Sequence, residues 1–235
     1  MEFAEFIGLA IQVIVSGNND LYEVVHLSLY VSFSAVFFAA LIGLLLGGLL
    51  ASTRFPGRSL VIVLINALMG LPPVVVGLMI YLLLSRSGPL GVFGLLYTPT
   101  AMIIAQTVLI TPIITALARQ TVEHLSRDYD QQLQLFGVSP VKRTMTLIID
   151  GRFELVTAIL AGLGRAMAEV GAVMIVGGNI DHFTRVMTTS ITLETSRGNL
   201  ALALALGLVL ILMTVAINAC MAVLRWWGES RYGHV

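Results

Sequence analysis

The chain has 235 residues, 57% of them hydrophobic and only 11% charged, where a soluble domain carries roughly 25% charged residues. An ordinary soluble fold is therefore excluded, and much of the apolar surface must face lipid. Thirteen basic and thirteen acidic residues cancel, which argues against a nucleic-acid partner. The single cysteine, Cys220, lies in an apolar run, so no intrachain disulfide framework or Cys-rich metal site can form, and it reads as a packing residue.

Residues 3–15 are apolar but shorter than the about 20 residues that span a bilayer, which predicts an interfacial helix within an N-terminal segment, residues 1–20. Glu2 and Glu5 precede the first long apolar run without any Lys or Arg, unlike a cleavable signal peptide, so the first span is expected to be retained. Runs of spanning length then follow over Leu27–Ala51, Ser59–Ser85, Thr100–Ala118, Leu155–Val176 and Leu200–Leu224. The Gly88-Pro89-Leu90-Gly91 sequence marks a turn before the third, and Arg225-Trp226-Trp227 ends the fifth with indole rings suited to a headgroup boundary. The expected fold class is all-α and integral to the membrane, with about five transmembrane helices plus the interfacial helix. Residues 21–224 form its membrane domain and 225–235 a cytoplasmic tail.

Arg54, Arg58, Arg119, Arg127, Lys142, Arg143, Arg152, Arg225 and Arg231 fall on one side of these spans, against Arg86, Arg185 and Arg197 on the other. Short cytoplasmic loops are enriched in Lys and Arg, which predicts an N-terminus outside and a C-terminus inside the cell membrane. The 119–154 connection is then cytoplasmic and the polar 178–199 loop external. Asp128 or Asp130 can cap a first short helix in the cytoplasmic connection, Gly137 suits its C-terminal left-handed position, and Ser139-Pro140 can start a second.

Several residues within the spans need a physical reason to be there. Gly70-Leu71-Pro72-Pro73 interrupts the second span, so a kink or short unwound segment is expected, with Asn66 just before it. Such a break lines a transport path or gate, or is a packing kink. Gln106, Thr107, Thr111 and Pro112 make a polar face on the third span, which serves a pathway unless hydroxyls only satisfy their own helix. Arg165 and Glu169, four apart in the fourth span, are expected to pair on one helix face, because an isolated charge there costs at least a few kcal/mol. The pair reads either as part of an anion path or as a static packing clamp. The hydroxyl-rich segment from Asn179 to Asn199, with Arg185 and Arg197, suits an oxyanion or the protein that delivers one.

His26, His124, His182 and His234 are scattered, with no His-x-x-x-His pair and no Gly-x-Ser-x-Gly elbow, so no catalytic residue or metal ligand is assigned. Lys142 is the only lysine and is not part of a phosphate-binding loop. Any ATP-driven mechanism must therefore borrow its motor. An ion-coupled secondary transporter stays open as a different class, although only Glu169 provides a deep carboxylate in the predicted spans.

Gln131-Gln132-Leu133, Gly137, Leu147 and Ile149 partly match the coupling loop of ABC importer permeases, whose pattern is Glu-Ala-Ala, three residues, Gly, nine residues, Ile, one residue, Leu-Pro. Asp150 stands in place of that proline. Gly164-Arg165-Ala166-Met167-Ala168-Glu169-Val170-Gly171-Ala172-Val173 resembles the Arg-Ala-x-x-Glu-x-Gly-Ala-Val signature of molybdate, tungstate and sulfate permeases. With Gly70–Gly77, Leu84–Gly91, Met174–Ile180 and Thr184–Ser196 added, the chain from about residue 20 to 220 resembles the Tup-type tungstate permeases.

That resemblance implies a type I ABC importer permease fold and a homodimer above two cytoplasmic ABC ATPase subunits, which use ATP and Mg, while this chain binds no cofactor. It also implies an external oxyanion-binding protein. Asp130, Gln131, Gln132, Phe136, Gly137, Val138, Ser139 and Pro140 are the implied ATPase-coupling residues. Asn66, Pro72, Pro73, Gln106, Thr107, Arg165 and Glu169 are the candidates for a translocation pathway or gate. Tungstate is the implied cargo, with molybdate or sulfate as alternatives.

Overall fold

The computed structural model describes residues 19–135 and 139–232, and among them the chain is helical with no strand. The helices are α1 (Asn19–Ser52), α2 (Arg58–Met69), α3 (Pro73–Leu84), α4 (Pro99–Leu135), α5 (Pro140–Asp150), α6 (Arg152–Met167), α7 (Gly171–Gly177), α8 (Met187–Ser196) and α9 (Leu200–Tyr232), with a 3-10 turn at Gly91–Phe93. The interfacial helix expected within residues 1–20 lies outside the described residues apart from the first turn of α1.

Leu21–Ser52, Pro99–Ser126 and Leu200–Val223 are each long and apolar enough to cross a bilayer, with mean hydropathies of 2.4, 2.0 and 2.9. The other two predicted spans are broken helix pairs. Between α2 and α3 the chain bends by 100°, and between α6 and α7 by 59°, which gives five spans if each pair counts as one. This is a multi-pass membrane protein.

The first break has a covalent cause. Pro72 is held extended at φ −63° and ψ 123°, and Pro73 starts α3 at the one place where a missing N–H costs nothing. The second has no proline and corrects an expectation: α6 ends at Met167 and α7 begins at Gly171, so Arg165 and Glu169 do not share one helix face.

Two further expectations are revised. No separate first helix follows the third span, because α4 continues without interruption to Leu135; Asp128 and Asp130 lie inside it and not at a helix start. Phe136, Gly137 and Val138 lie outside the described residues, whereas Ser139 does stand at the N-terminal cap position of α5 with Pro140 as its first residue. The 178–199 segment, expected as an external loop, is not all loop, since Met187–Ser196 is helical. At the C-terminus, α9 continues through the expected tail to Tyr232.

The chain divides into two compact units. The first holds the chain up to Ala35, residues 72–106 and residues 166–218. Its core includes Val31, Met102, Val173, Val176 and Met187, each no more than 1% exposed. Here α3 and α7 approach so closely that a side chain on Gly77 would lie 2.7 Å from the Ala172 Cα. Gly178 closes α7 at φ +71°, a conformation that favours glycine, and Tyr97 donates its backbone N–H to the Val176 carbonyl at 2.9 Å.

The second unit holds residues 36–71, 107–165 and the chain from Ala219. Glycines let α1 pack tightly: a Cβ on Gly47 would meet the Thr115 carbonyl at 2.6 Å, and one on Gly48 the Thr144 Cγ2 at 2.7 Å. α5 is amphipathic. Thr144 and Leu147 are buried, while Met145 and Ile149 are 53% and 54% exposed. Arg143 donates to the Ser126 Oγ at 2.7 Å and so ties α5 to α4.

Gly77→Val is expected to lower stability by about 1–3 kcal/mol, because backbone rather than a flexible side chain occupies the space. Gly207→Ala, with nothing within 4 Å of the added Cβ, is expected to be neutral or stabilising. Thermal unfolding in detergent reads both, and equal behaviour of the two variants contradicts the close approach.

Candidate functional site: a hydrogen-bonded helix break

Water is scarce inside a bilayer, so backbone groups released by a broken helix must find partners in the protein. In the first unit the α6–α7 break is satisfied from three directions. The Ala166 carbonyl, orphaned near the end of α6, accepts the Glu169 N–H at 3.2 Å and the Gln106 side-chain amide at 3.2 Å. The Glu169 carbonyl accepts the Thr188 hydroxyl from α8 at 2.8 Å. The Glu169 carboxylate reaches forward and accepts the Ala172 N–H in the first turn of α7 at 3.1 Å, the kind of side-chain bond that competes with helix continuation.

Glu169 is 3% exposed and Gln106 4%. A cavity of about 10 Å³ lies against them, with Ser32, Met187 and Thr188 also on its wall, which is room for about one water molecule. The Gln106 Oε1 is buried without a hydrogen-bond partner among the described residues and can be satisfied by such a water.

The start of α3 joins this cluster. A Cβ on Gly171 would lie 2.8 Å from the Val74 Cγ2, so the two broken helices resume side by side. Of the sequence-derived pathway candidates, Gln106 and Glu169 are therefore brought together, with Pro72 and Pro73 opening the adjacent α3. Asn66, exposed on α2, Thr107, half-buried on α4, and Arg165, half-buried in the last turn of α6, belong to the second unit. The Thr107 carbonyl accepts the Thr111 hydroxyl at 2.7 Å, and the Thr115 hydroxyl in turn bonds the Thr111 carbonyl. Much of that hydroxyl face therefore serves its own helix.

Thr188 and Ser32 were not singled out from sequence. The signal for Thr188 was the hydroxyl run it belongs to, but nothing in that run distinguishes the one threonine that reaches across to a broken helix from those, such as Thr192, that bond their own backbone.

A larger cavity of about 380 Å³ opens elsewhere in the first unit, between the start of α1 and the 181–194 segment. Its charged groups are already engaged. His182 Nδ1 meets the Glu23 carboxylate at 2.6 Å, Arg185 meets Asp181 at 2.5 Å, and Glu194 meets Arg197 at 2.9 Å. No cluster of three or more His, Cys, Asp or Glu suited to a metal occurs among the described residues.

Comparison with known proteins gives a consistent set. The sequence profile of the family described as "Binding-protein-dependent transport system inner membrane component" matches residues 39–231. A probable anion ABC transporter permease protein of Haloferax volcanii is 40% identical over 210 residues, covering 87% of this chain and 90% of that protein. The tungstate uptake system permease protein TupB of Peptoclostridium acidaminophilum is 38% identical over 226 residues, covering 96% and 99% respectively. TupB of Campylobacter jejuni is 40% identical over 148 residues, covering 63% and 62%.

Thr188→Val, which leaves the Glu169 carbonyl without its donor, is expected to cost about 1–3 kcal/mol of stability. Thr188→Ser keeps the hydroxyl and is expected to cost less than half of that. Chemical or thermal unfolding of the purified protein reads the difference, and an equal loss in both variants would show that the hydroxyl does not hold the break.

Proposed function

The chain belongs to the inner membrane components of binding-protein-dependent transport systems, and from that premise we propose that it is the permease subunit of an ATP-driven importer of tungstate. The observation that carries the cargo assignment is the 38% identity, over nearly the whole of both chains, to a tungstate uptake permease. Two copies of the chain form the membrane pathway, with two ABC ATPase subunits on the cytoplasmic side and an oxyanion-binding protein outside. Tungstate, molybdate and sulfate are all tetrahedral dianions, and the external binding protein selects among them.

The termini lie N-outside and C-inside, which places the extended end of α4, residues 136–138 and α5 in the cytoplasm. Support comes from the basic residues gathered there and from the form of α5. Its Thr144, Leu147 and Ile148 face this subunit, while Met145 and Ile149, one turn apart, are left exposed. An exposed apolar pair on an otherwise anchored helix suits a groove on a partner ATPase. Closure of the ATPases pulls on residues 128–143, including the coupling residues Asp130, Gln131, Gln132, Phe136, Gly137, Val138, Ser139 and Pro140, and tilts the spans so that the pathway opens alternately outward and inward.

Gln106, Thr107, Arg165, Glu169, Asn66, Pro72 and Pro73 are the pathway or gate residues of this scheme. The cavity beside Glu169 is far too small for a dianion and is walled partly by a carboxylate, so the described conformation is closed at that point.

ATP-dependent uptake into proteoliposomes containing the chain with its ATPase and binding proteins tests the assignment. Selective tungstate accumulation that is lost without the ATPase is expected; ATP-independent movement, or none of any of the three oxyanions, contradicts it. In the same system Gly137→Asp is expected to leave insertion and abundance intact while separating ATP hydrolysis from uptake. Arg165→Ala is expected to abolish uptake, and normal transport at normal abundance removes Arg165 from the pathway.

A further inference from the structure

We infer that Glu123 is a positioning residue for coupling: with Arg58 and Arg119 it clamps α2 to the cytoplasmic extension of α4, so that motion received by α4 and α5 is passed to α2. This rests on the reading of the protein as an ATP-driven permease.

The observations all lie in the second unit. None of the twelve residues of α2 is buried, and only Val61, Ile62 and Ile65 among its apolar residues are half-buried, so side-chain packing within the subunit holds it weakly. Its first residue ties it to its neighbours. The Arg58 Nε donates to the Leu50 carbonyl at 2.7 Å, taking up one of the carbonyls left open at the end of α1, and its terminal nitrogen stands 3.6 Å from the Glu123 carboxylate. The other Glu123 oxygen accepts from Arg119 one helical turn earlier on α4. One carboxylate thus joins two guanidiniums, one on each helix, with side chains only 25%, 33% and 15% exposed for Arg58, Glu123 and Arg119.

The same stretch of α4 also receives α5. Ser126, three residues after Glu123, takes the Arg143 hydrogen bond, and Leu125 fills the space against Gly151 at the end of α5. Displacement of α5 therefore arrives at the turn of α4 that carries Glu123. From there a polar route reaches α2 through Arg58, beside which α2 offers only half-buried apolar side chains. At its other end α2 stops at Met69 and the chain enters the Gly70–Pro72 break. A rigid α2 held at Arg58 acts as a lever on that break; one released from Glu123 does not.

The test uses the full reconstituted complex and reads uptake and ATP hydrolysis together. Glu123→Gln is expected to reach the membrane at normal abundance and hydrolyse ATP, but to move about fivefold less substrate per ATP, with partial recovery in Glu123→Asp. Uptake per ATP within twofold of the parent in Glu123→Gln overturns the proposal. A second measurement does not depend on transport: spin labels at Leu60→Cys on α2 and His124→Cys on α4, in a Cys220→Ala background. Leu60 is 63% exposed and His124 is exposed. The clamp predicts a narrow distance distribution that broadens with Glu123→Gln; an unchanged distribution refutes it. If the parent complex shows no ATP-driven uptake, the transport assignment fails, and the label distances still decide the clamp.

Discussion

Every interrupted helix in a membrane must satisfy the backbone groups it releases, and in this protein that requirement is concentrated at the break between α6 and α7. Gln106, Glu169 and Thr188 come from three different places in the chain and supply one bond each to it. An unpaired backbone group costs several kcal/mol in hydrocarbon, whereas a single hydrogen bond adds only about 1 kcal/mol net in water. The cluster is therefore held less by the strength of its bonds than by the expense of losing them. Such an arrangement can have two states only if another set of partners is at hand. Under the transport role proposed above, water or substrate entering the pathway would supply those partners.

The second unit solves a different problem, which is how to anchor α2 and α5 beside a core that includes Ile110, Ile114, Val122 and Leu147. Gly43 and Gly47 bring α1 against the backbone of α4, and Gly48 receives the Thr144 and Ile148 side chains of α5. α2 has no fully buried residue and is tied at Arg58 by one hydrogen bond to the Leu50 carbonyl and one ion pair to Glu123, a contact that contributes about 0.2–1 kcal/mol at exposed sites. Weak, directional contacts of this kind suit an element that must be positioned and yet able to move.

Composition and charge-free runs made the fold largely legible, because bilayer thickness imposes a length that can be counted. The positions of Pro72 and Pro73 announced the first break, since proline removes a donor wherever it stands. The second break was hidden. Arg165 and Glu169 at four-residue spacing look like a helical pair, and only the hydrogen bond from Ala172 to the Glu169 carboxylate reveals that the side chain replaces helix continuation. Similarly, the length of α4 escaped the sequence reading because Asp128 and Asp130 resemble caps, whereas the helix runs through them to Leu135. Thr188 carried no local mark at all; its importance depends on a partner nineteen residues away in sequence. The coupling role and the cargo are proposals that rest on resemblance to known permeases and do not follow from spacing.

The proposed transport role makes the cluster at Glu169 the barrier that opens during transport. The most direct measurement is the reaction rate of a small water-borne thiol reagent with Gln106→Cys, in a Cys220→Ala background, comparing the nucleotide-free complex with one trapped with ATP. A change of about tenfold or more between the two states is predicted, since a site 4% exposed at rest must become wet when the pathway opens. Equal rates in both states, with ATP-driven uptake intact, would place the moving barrier elsewhere.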